Sequence, residues 1–594
     1  LIGVRKERAA DKKAQVYDIE NVTVSHSHNE AFHRDFQIES QIDQQTRSAV
    51  DYAYSFNSKP IEPFKNKQFV NKSKYWQLLK DFNLNYLPSN ITYSTNVIRQ
   101  YNRQQFRQVE VQGIGIDPLY RRNYFFNYNY GFNFNLTKSL RLNYNAASNN
   151  LVRNYLDEFN IPDNSADVYH DYFNVGTTDL HNQQLVVNYD LPINKIPTFA
   201  FIKSTYSYTS NFSWQRSSDA LASIEFEGRN YDLGNTIQNS GVHRLNTTLN
   251  METFYKHIGL VKSTQRQPKT APRPTGPPKP GERVVAQNRN AQPVQGSKFL
   301  DGVIGVVTSL KNLQVNYTQN EGTVLPGYTP GVGYWGTTRP GLGFVFGSQS
   351  DIRYEMAKSG YLTYYPEFNQ NYTEVSNKTL NITGQLEVLP DLKIDITADR
   401  NLNTNYSEQY DVSPFGTYNS LSPYDYGNFS ISTVMISTSF SKSDANGSAA
   451  FDEFKNNRII VANRLAQEYY GSNIPRYGDI NNPLPATTDP KYGFYVANQG
   501  YPVGFGKNSQ AVLIPSLLSA YTGGDAAEVK TGIFRDIPLP NWNIKYGGFM
   551  FFLRNKYDPA TTAPTKTTEA MIVNATYNPL SFLVIVPAST SNPG

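Results

Sequence analysis

The chain has no cysteine among its 594 residues, which excludes a disulfide framework, a zinc ribbon and a thiol nucleophile. Tryptophan (4) and histidine (7) are scarce, and the histidines are scattered along the chain. No apolar run approaches the ~20 residues that a membrane helix needs, so any crossing of a bilayer has to be made by strands. Charge is nearly balanced: the formal net charge of +5 is too small at this length to point to nucleic acid. G-x-S-x-G and H-E-x-x-H are both missing, and the 50 Asp and Glu fall in no recognisable active-site context. No enzyme is expected, and no catalytic residue, cofactor-binding residue or metal ligand is assigned. His26 and His28 share one side of a strand and His33 lies near them, but no cysteine or carboxylate is arranged as a further ligand. They read as strand histidines near a wet surface. Gly331 to Gly336 matches G-x-G-x-x-G by letters, yet Pro330 before it and Thr337 to Pro340 after it leave no strand–turn–helix for a pyrophosphate. Tyr501 to Asn508 fails as a phosphate loop because Tyr501 and Asn508 replace the required Gly and Ser/Thr.

What is abundant is Tyr (43) and Phe (34), set among Asn, Ser and Thr. Phe126, Tyr128, Tyr130, Phe132, Phe134 and Leu136 alternate with Asn127, Asn129, Gly131, Asn133 and Asn135. After a turn at Thr137-Lys138-Ser139 the pattern resumes with Leu140, Leu142, Tyr144 and Ala146. Side chains of a strand alternate faces, so this is a hairpin with one aromatic and one amide face. Period alone fits both a packed core and a lipid-facing surface. A second hairpin runs from Leu380 to Val388, turns at Leu389-Pro390-Asp391, and returns with Leu392, Ile394, Ile396 and Ala398 opposite Lys393, Asp395 and Thr397. Strands are expected to join by short turns at one end and by long polar loops such as 147–182 at the other, the asymmetry of an outer-membrane barrel. On that reading Phe126, Tyr128, Tyr130, Phe132, Phe134, Leu142, Tyr144, Leu392, Ile394 and Ile396 face lipid. Asn127, Asn129, Asn133, Asn135, Lys393, Asp395 and Thr397 then face the lumen.

The fold class expected is all-β: part of a very large antiparallel transmembrane β-barrel with long extracellular loops and a few short helices. Residues 1–261 supply strands and loops. Residues 262–298, rich in Pro, Lys and Arg, form a semi-extended linker or loop. Strands resume over 299–447 around a Gly-rich loop. Residues 448–530 read as a helical or irregular insertion, with Phe451, Phe454, Val461, Ala462, Leu465 and Tyr469 on one helical stripe. A strand begins within 531–555, and 556–594 is a tail of different character.

Several segments carry a family resemblance. These are Leu1 to Arg8, the run Glu30 to Phe36, Leu325-Pro326-Gly327-Tyr328, Gly341 to Gln349, and Pro538 to Trp542. Together they resemble the SprA (Sov) family, the giant outer-membrane translocon of the Bacteroidetes type IX secretion and gliding system. The likeness runs in family order from residue 1 to about 550 and covers an interior part of a much longer protein. It implies a conduit in the outer membrane that passes folded cargo proteins bearing a type IX signal to the cell surface and supports gliding motility. It also implies a periplasmic plug protein and a smaller outer-membrane barrel partner at a lateral opening, and no cofactor. An energy-coupled outer-membrane receptor and a surface all-β adhesin are the alternatives that the residues themselves leave open.

Overall fold

In the computed structural model, residues 1–9, 13–57, 59–107, 116–157, 160–260, 298–389, 392–432, 438, 444, 447–489, 492–531, 538, 540–546 and 573–576 are described. Among the described residues there are sixteen strands: β1 (Val22–His33), β2 (Ile38–Ser55), β3 (Asn90–Phe106), β4 (Leu119–Phe134), β5 (Leu140–Leu151), β6 (Thr177–Leu191), β7 (Ile202–Gln215), β8 (Ile224–Phe226), β9 (Arg229–Tyr231), β10 (Asn235–Asn250), β11 (Leu310–Tyr328), β12 (Asn371–Leu389), β13 (Leu392–Val412), β14 (Tyr418–Ile431), β15 (Asn541–Tyr546) and β16 (Val573–Thr576). Strands make up 46% of the chain. Fourteen of them form one antiparallel sheet, and β8 and β9 form a separate small hairpin. From β1 to β7 and from β10 to β13 each strand pairs with the next in sequence. An antiparallel meander of this kind needs only local connections, which is why alternation and turn residues suffice to predict it. No described helix is long and apolar enough to cross a membrane.

The connections do not follow the simple asymmetry expected from the sequence. At one end of the sheet, β4–β5 and β6–β7 are joined through residues 135–139 and 192–201, and only two residues separate β12 from β13. That same end carries 56–89 between β2 and β3 and 251–309 between β10 and β11. The opposite end carries 152–176, 216–234 and 329–370, but also the short connections 34–37 and 413–417. The polar stretch read as a loop over 147–182 is shorter, because β5 runs to Leu151 and β6 starts at Thr177. Polar side chains do not end a strand while the ladder continues; Asn149 still pairs with Leu180. The Pro-rich segment 262–297, the Pro390-Asp391 turn, Thr433 and Met435 lie outside the described residues, as does most of the tail.

β13 is paired with β12 along nearly its whole length. Its other edge is shared: β14 takes Arg400–Val412 and β15 takes Leu392–Thr397. β14 and β15 thus fill one strand position in succession, and residues 432–540 are inserted in the middle of it. The helix expected over 449–469 is found at Ala449–Tyr470. It packs its small and branched residues Val461, Ala462 and Ala466 against a second helix, Gln510–Thr522, which buries Val512, Ile514 and Ala520. Asn457 Nδ2 donates to Ser519 Oγ at 2.9 Å across this contact. The second helix lies beside β13 and β14 and encloses with them a cavity of about 330 Å³ lined by Thr404, Asp425, Phe429, Gln510 and Leu513 among others.

The largest buried cluster lies between one half of one sheet face and the loop 329–370. Phe212, Trp214, Ile237, Leu325, Tyr372 and Tyr410 from the strands meet Phe344, Val345, Met356 and Leu362 from the loop.

Candidate functional site: one sheet face in two halves

Register decides which residues share a face. Tyr128 pairs with Thr95 and Ser148, Ser148 with His181, His181 with Trp214, Trp214 with Ile237, and Ile237 with Leu325. Continuing through β12 and β13, this face holds Leu380, Ile382, Ile394 and Ile396. All ten residues expected to face lipid therefore lie on one face, and six of the seven expected to face a lumen lie on the other; the seventh, Asn135, stands just past the end of β4. Directly opposed side chains fix this, because slipping the register by one residue would move every side chain to the wrong face.

The shared face has two halves of different character. Near the end that carries the β4–β5 turn it is largely apolar: Phe132, Phe134, Leu142, Leu185, Val187, Leu245, Val315, Ile382, Ile394 and Ile396 step from strand to strand and remain partly or largely exposed, while the Phe134–Leu142–Val187 row continues into Tyr208, His243, Gln319 and Lys378. Three to four such rows span roughly 20 Å along the strands. Toward the other end the same face is aromatic, with Ser148, His181 and Asn239 set among the rings, and is covered by the chain's own loops. The expectation that Phe126, Tyr128 and Tyr130 are open to lipid is corrected here. Phe126 and Tyr128 are buried. Tyr128 stacks on Tyr334 with ring centroids 4.2 Å apart and donates its hydroxyl to the Tyr334 carbonyl at 2.7 Å. Tyr93 and Tyr334 join their hydroxyls, and Trp335 sits edge-on to Tyr130 at 5.2 Å. Tyr144 touches Phe346. The physical reason is that an aromatic pair from a loop 200 residues away covers Tyr128 and Tyr130, while Phe126 is buried in a cluster with Val97, Tyr124 and Val152; an aromatic contact adds about 0.5–1.5 kcal/mol beyond its area. Leu142, Phe132, Phe134, Leu392, Ile394 and Ile396 keep their partly or largely exposed positions.

The polar face carries Asn129, Asn133 and Lys393 exposed, with Asn135 exposed just beyond it, and Asn127, Asp395 and Thr397 half-buried. Short side-chain ladders run across it: Gln184 to Asn211 at 2.8 Å, Asn381 to Asp399 at 2.5 Å, and Lys545 to Asp395 at 2.9 Å. Opposed amides and opposite charges stabilise neighbouring strands by roughly 0.2–1 kcal/mol each.

The Gly-rich tract that fails as a dinucleotide site is the strap over the aromatic half. Asn239 Nδ2 donates to the carbonyls of Phe344 (2.9 Å) and Ser348 (2.8 Å), Tyr208 donates to the Phe346 carbonyl at 2.5 Å, and Trp214 Nε1 donates to the Pro330 carbonyl at 3.0 Å. Gly347 has φ +86°, and a Cβ there would stand 2.6 Å from Tyr208 Oη. Facing it, a Cβ on Gly241 of β10 would stand 2.6 Å from the Gly347 carbonyl oxygen. Two bare backbones are what allow the strap to lie flat on the sheet. Gly347→Ala is expected to destabilise the strap by about 1–3 kcal/mol, seen as faster protease cleavage within 329–349.

A buried ionic cluster fastens the next part of the loop. Glu408 of β13 is almost fully buried and bonds to Arg353, with Tyr418 at 2.5 Å, Tyr406 at 2.7 Å and Ser420 donating to it as well. Arg353 also holds Asp351 through Nη2 at 2.8 Å and lies over the Tyr372 ring at 4.6 Å. Burial pushes the Asp351 carboxyl up, but the hydrogen bonds of the Arg353 side chain and backbone outweigh it and hold the carboxyl below its usual range. An acid whose folded value is depressed stabilises above its unfolded value, about pH 4, and loses that contribution as pH falls through the folded one. Protection of 353–370 from acid protease should therefore drop below about pH 4, and Asp351→Asn should flatten that drop.

Sequence reasoning did not find Arg353, Glu408, Tyr334 or Trp335 as a joined set; the Gly341–Gln349 run was the one signal that pointed to this loop. His26 donates to or accepts from Ser48 at 2.8 Å and His28 contacts Tyr169 at 3.0 Å. Among the described residues no group of three or more His, Asp or Glu is placed to hold a metal.

No family model and no curated protein matches this chain.

Proposed function

We propose that this chain is part of the wall of a very large transmembrane β-barrel in the outer membrane. We propose further that the barrel is the protein-conducting translocon of a type IX secretion system, which passes folded cargo to the cell surface and supports gliding motility. The observation that carries the membrane reading is the division of faces across β4 to β13. One face offers aliphatic and aromatic side chains that step from strand to strand near the turn end; the other offers Asn, Ser, Thr and scattered charge. Amides and charges cannot be left unpaired in hydrocarbon, so the polar face borders the water-filled lumen and the apolar rows border lipid. The band is close in height to the ~25 Å expected of an outer-membrane barrel. A lumen of neutral amides hydrates well and does not hold passing proteins by charge. The assignment to type IX transport rests on the resemblance of the quoted segments, and the plug protein and the smaller barrel at a lateral opening come with it as proposed partners.

The absence of cysteine makes the wall directly testable. Leu142→Cys, Ile394→Cys, Asn143→Cys and Lys393→Cys, made one at a time, should react with a water-soluble maleimide only at the last two positions in intact membranes. Equal reaction at all four would defeat the membrane reading. The transport reading requires ion conductance by the full-length protein in a planar bilayer once its plug is removed; a silent bilayer would defeat it.

A further inference from the structure

The connection 56–89 between β2 and β3 is long, yet it is built rather than loose. Ile61 and Leu84 exchange both backbone bonds at 2.8 and 2.9 Å, and Asn85 N donates to the Leu136 carbonyl at 2.8 Å. The Asn83 side chain accepts from Lys138 N at 2.8 Å. Its two carboxylates are spent on bracing the neighbouring turns: Glu62 pairs with Lys138 at 2.9 Å and with Lys65, and Asp81 pairs with Lys195 at 3.0 Å. That leaves five lysines of the segment, Lys59, Lys67, Lys72, Lys74 and Lys80, without a carboxylate partner among the described residues, and three of them, Lys67, Lys72 and Lys74, lie close together in sequence. Between and beside them stand Phe69, Tyr75 and Trp76, which are 45%, 56% and 45% exposed. Phe69 and Trp76 make an edge contact with each other at 6.0 Å and leave their outer surfaces bare. Through Asn83, Asn85 and Glu62 the segment is fastened to the β4–β5 turn, and through Asp81 to Lys195 of the β6–β7 connection, so that it stands at the turn end of the sheet, beyond Phe134 and Leu140.

Bare aromatic rings beside unpaired lysines, at the rim of an apolar belt, have the chemistry of a bilayer interface. Amphipathic rings settle at headgroup level, and lysines reach the phosphates. We propose that residues 67–76 dock on the anionic phospholipid headgroups at the turn end of the barrel, with Phe69, Tyr75 and Trp76 at the acyl boundary and Lys67, Lys72 and Lys74 on the phosphates. This rests on the membrane reading above, and it adds a lipid-charge preference that a barrel wall does not need. It fixes the height of the barrel in the membrane from one side.

The test uses the full chain in vesicles, with an environment-sensitive dye on Tyr75→Cys as the docking reporter and on Leu142→Cys as the insertion reporter. Both positions are partly exposed, so the labels do not disturb the fold. Vesicles contain brominated phosphatidylcholine with or without 30% phosphatidylglycerol. The Tyr75→Cys dye should be quenched at least threefold more with phosphatidylglycerol. Lys67→Gln, Lys72→Gln and Lys74→Gln together should remove that difference, as should 1 M salt, with the Leu142→Cys dye quenched throughout. If Leu142→Cys is quenched and Tyr75→Cys is not, or if Tyr75→Cys responds equally to both lipids, the docking proposal is overturned and the barrel stands; this is also the result expected if the patch serves an acidic protein instead. If Leu142→Cys is not quenched, the membrane reading itself falls.

Discussion

Glu408→Gln should destabilise the protein by about 3–5 kcal/mol, the cost of removing one member of a buried ion pair. Glu408 is almost fully buried, and the Arg353 side chain is only 13% exposed. With a neutral partner, Arg353 retains Asp351 but sits among the rings of Tyr372, Tyr406 and Tyr418 with its charge half compensated. The loss should appear as a lower midpoint of denaturant unfolding and as early cleavage within 329–370. The double variant Arg353→Met with Glu408→Leu removes both charges and should recover only part of the loss. Tyr406, Tyr418 and Ser420 all donate to Glu408; exposed Ser420 turns to water, but buried Tyr418 would be left without an acceptor, at about 1–3 kcal/mol. Full recovery would show that the cluster matters for charge alone.

Leu142→Arg should impair membrane assembly by about 2–4 kcal/mol, and Asn143→Arg by less than about 1 kcal/mol. The two residues are adjacent and their side chains lie on opposite faces: Leu142 is opposed by Phe134 and Val187, Asn143 by Asn133 and Val186. The comparison therefore holds depth in the sheet nearly constant and varies only the solvent. The measurement is the fraction of protein reaching a heat-resistant, membrane-extracted form. Equal costs would mean that the apolar rows are not exposed to lipid. Tyr130 is unsuited to this test, because Trp335 covers it.

Much of the sheet was legible because it is a meander. Each strand pairs with the next, so the alternation at Phe126–Ala146 and at Leu380–Ala398 carries nearly all the information needed to place both faces. The helix at 449–470 was legible for the same reason, since its period is a local signal, but its buried face was only partly so: Phe451 and Tyr469 of the expected stripe are exposed, and Ala450, Asn457 and Ala466 are buried beside Val461 and Ala462. The strap was not legible. Tyr128 and Tyr334 are separated by 206 positions, and nothing in the local pattern of either says that they stack. The joining of β14 and β15 into one strand position around a long insertion was equally hidden, since neither segment differs locally from a strand that pairs throughout.

The Gly-rich tract illustrates the boundary between the two kinds of information. Its letters excluded a dinucleotide site, because the flanking prolines forbid the strand and helix such a site requires. They could not say why the glycines are there; that depends on Gly347 meeting Gly241 and Tyr208 across the sheet. The sequence by itself determined that this is an all-β chain with one apolar and one amide face, because side-chain alternation is a property of the backbone and needs no partner. Only the tertiary structure decided which part of the apolar face stays open and which is roofed by the loop. That outcome depends on long-range aromatic contacts and one buried ion pair, whose energies exist only once distant segments have met.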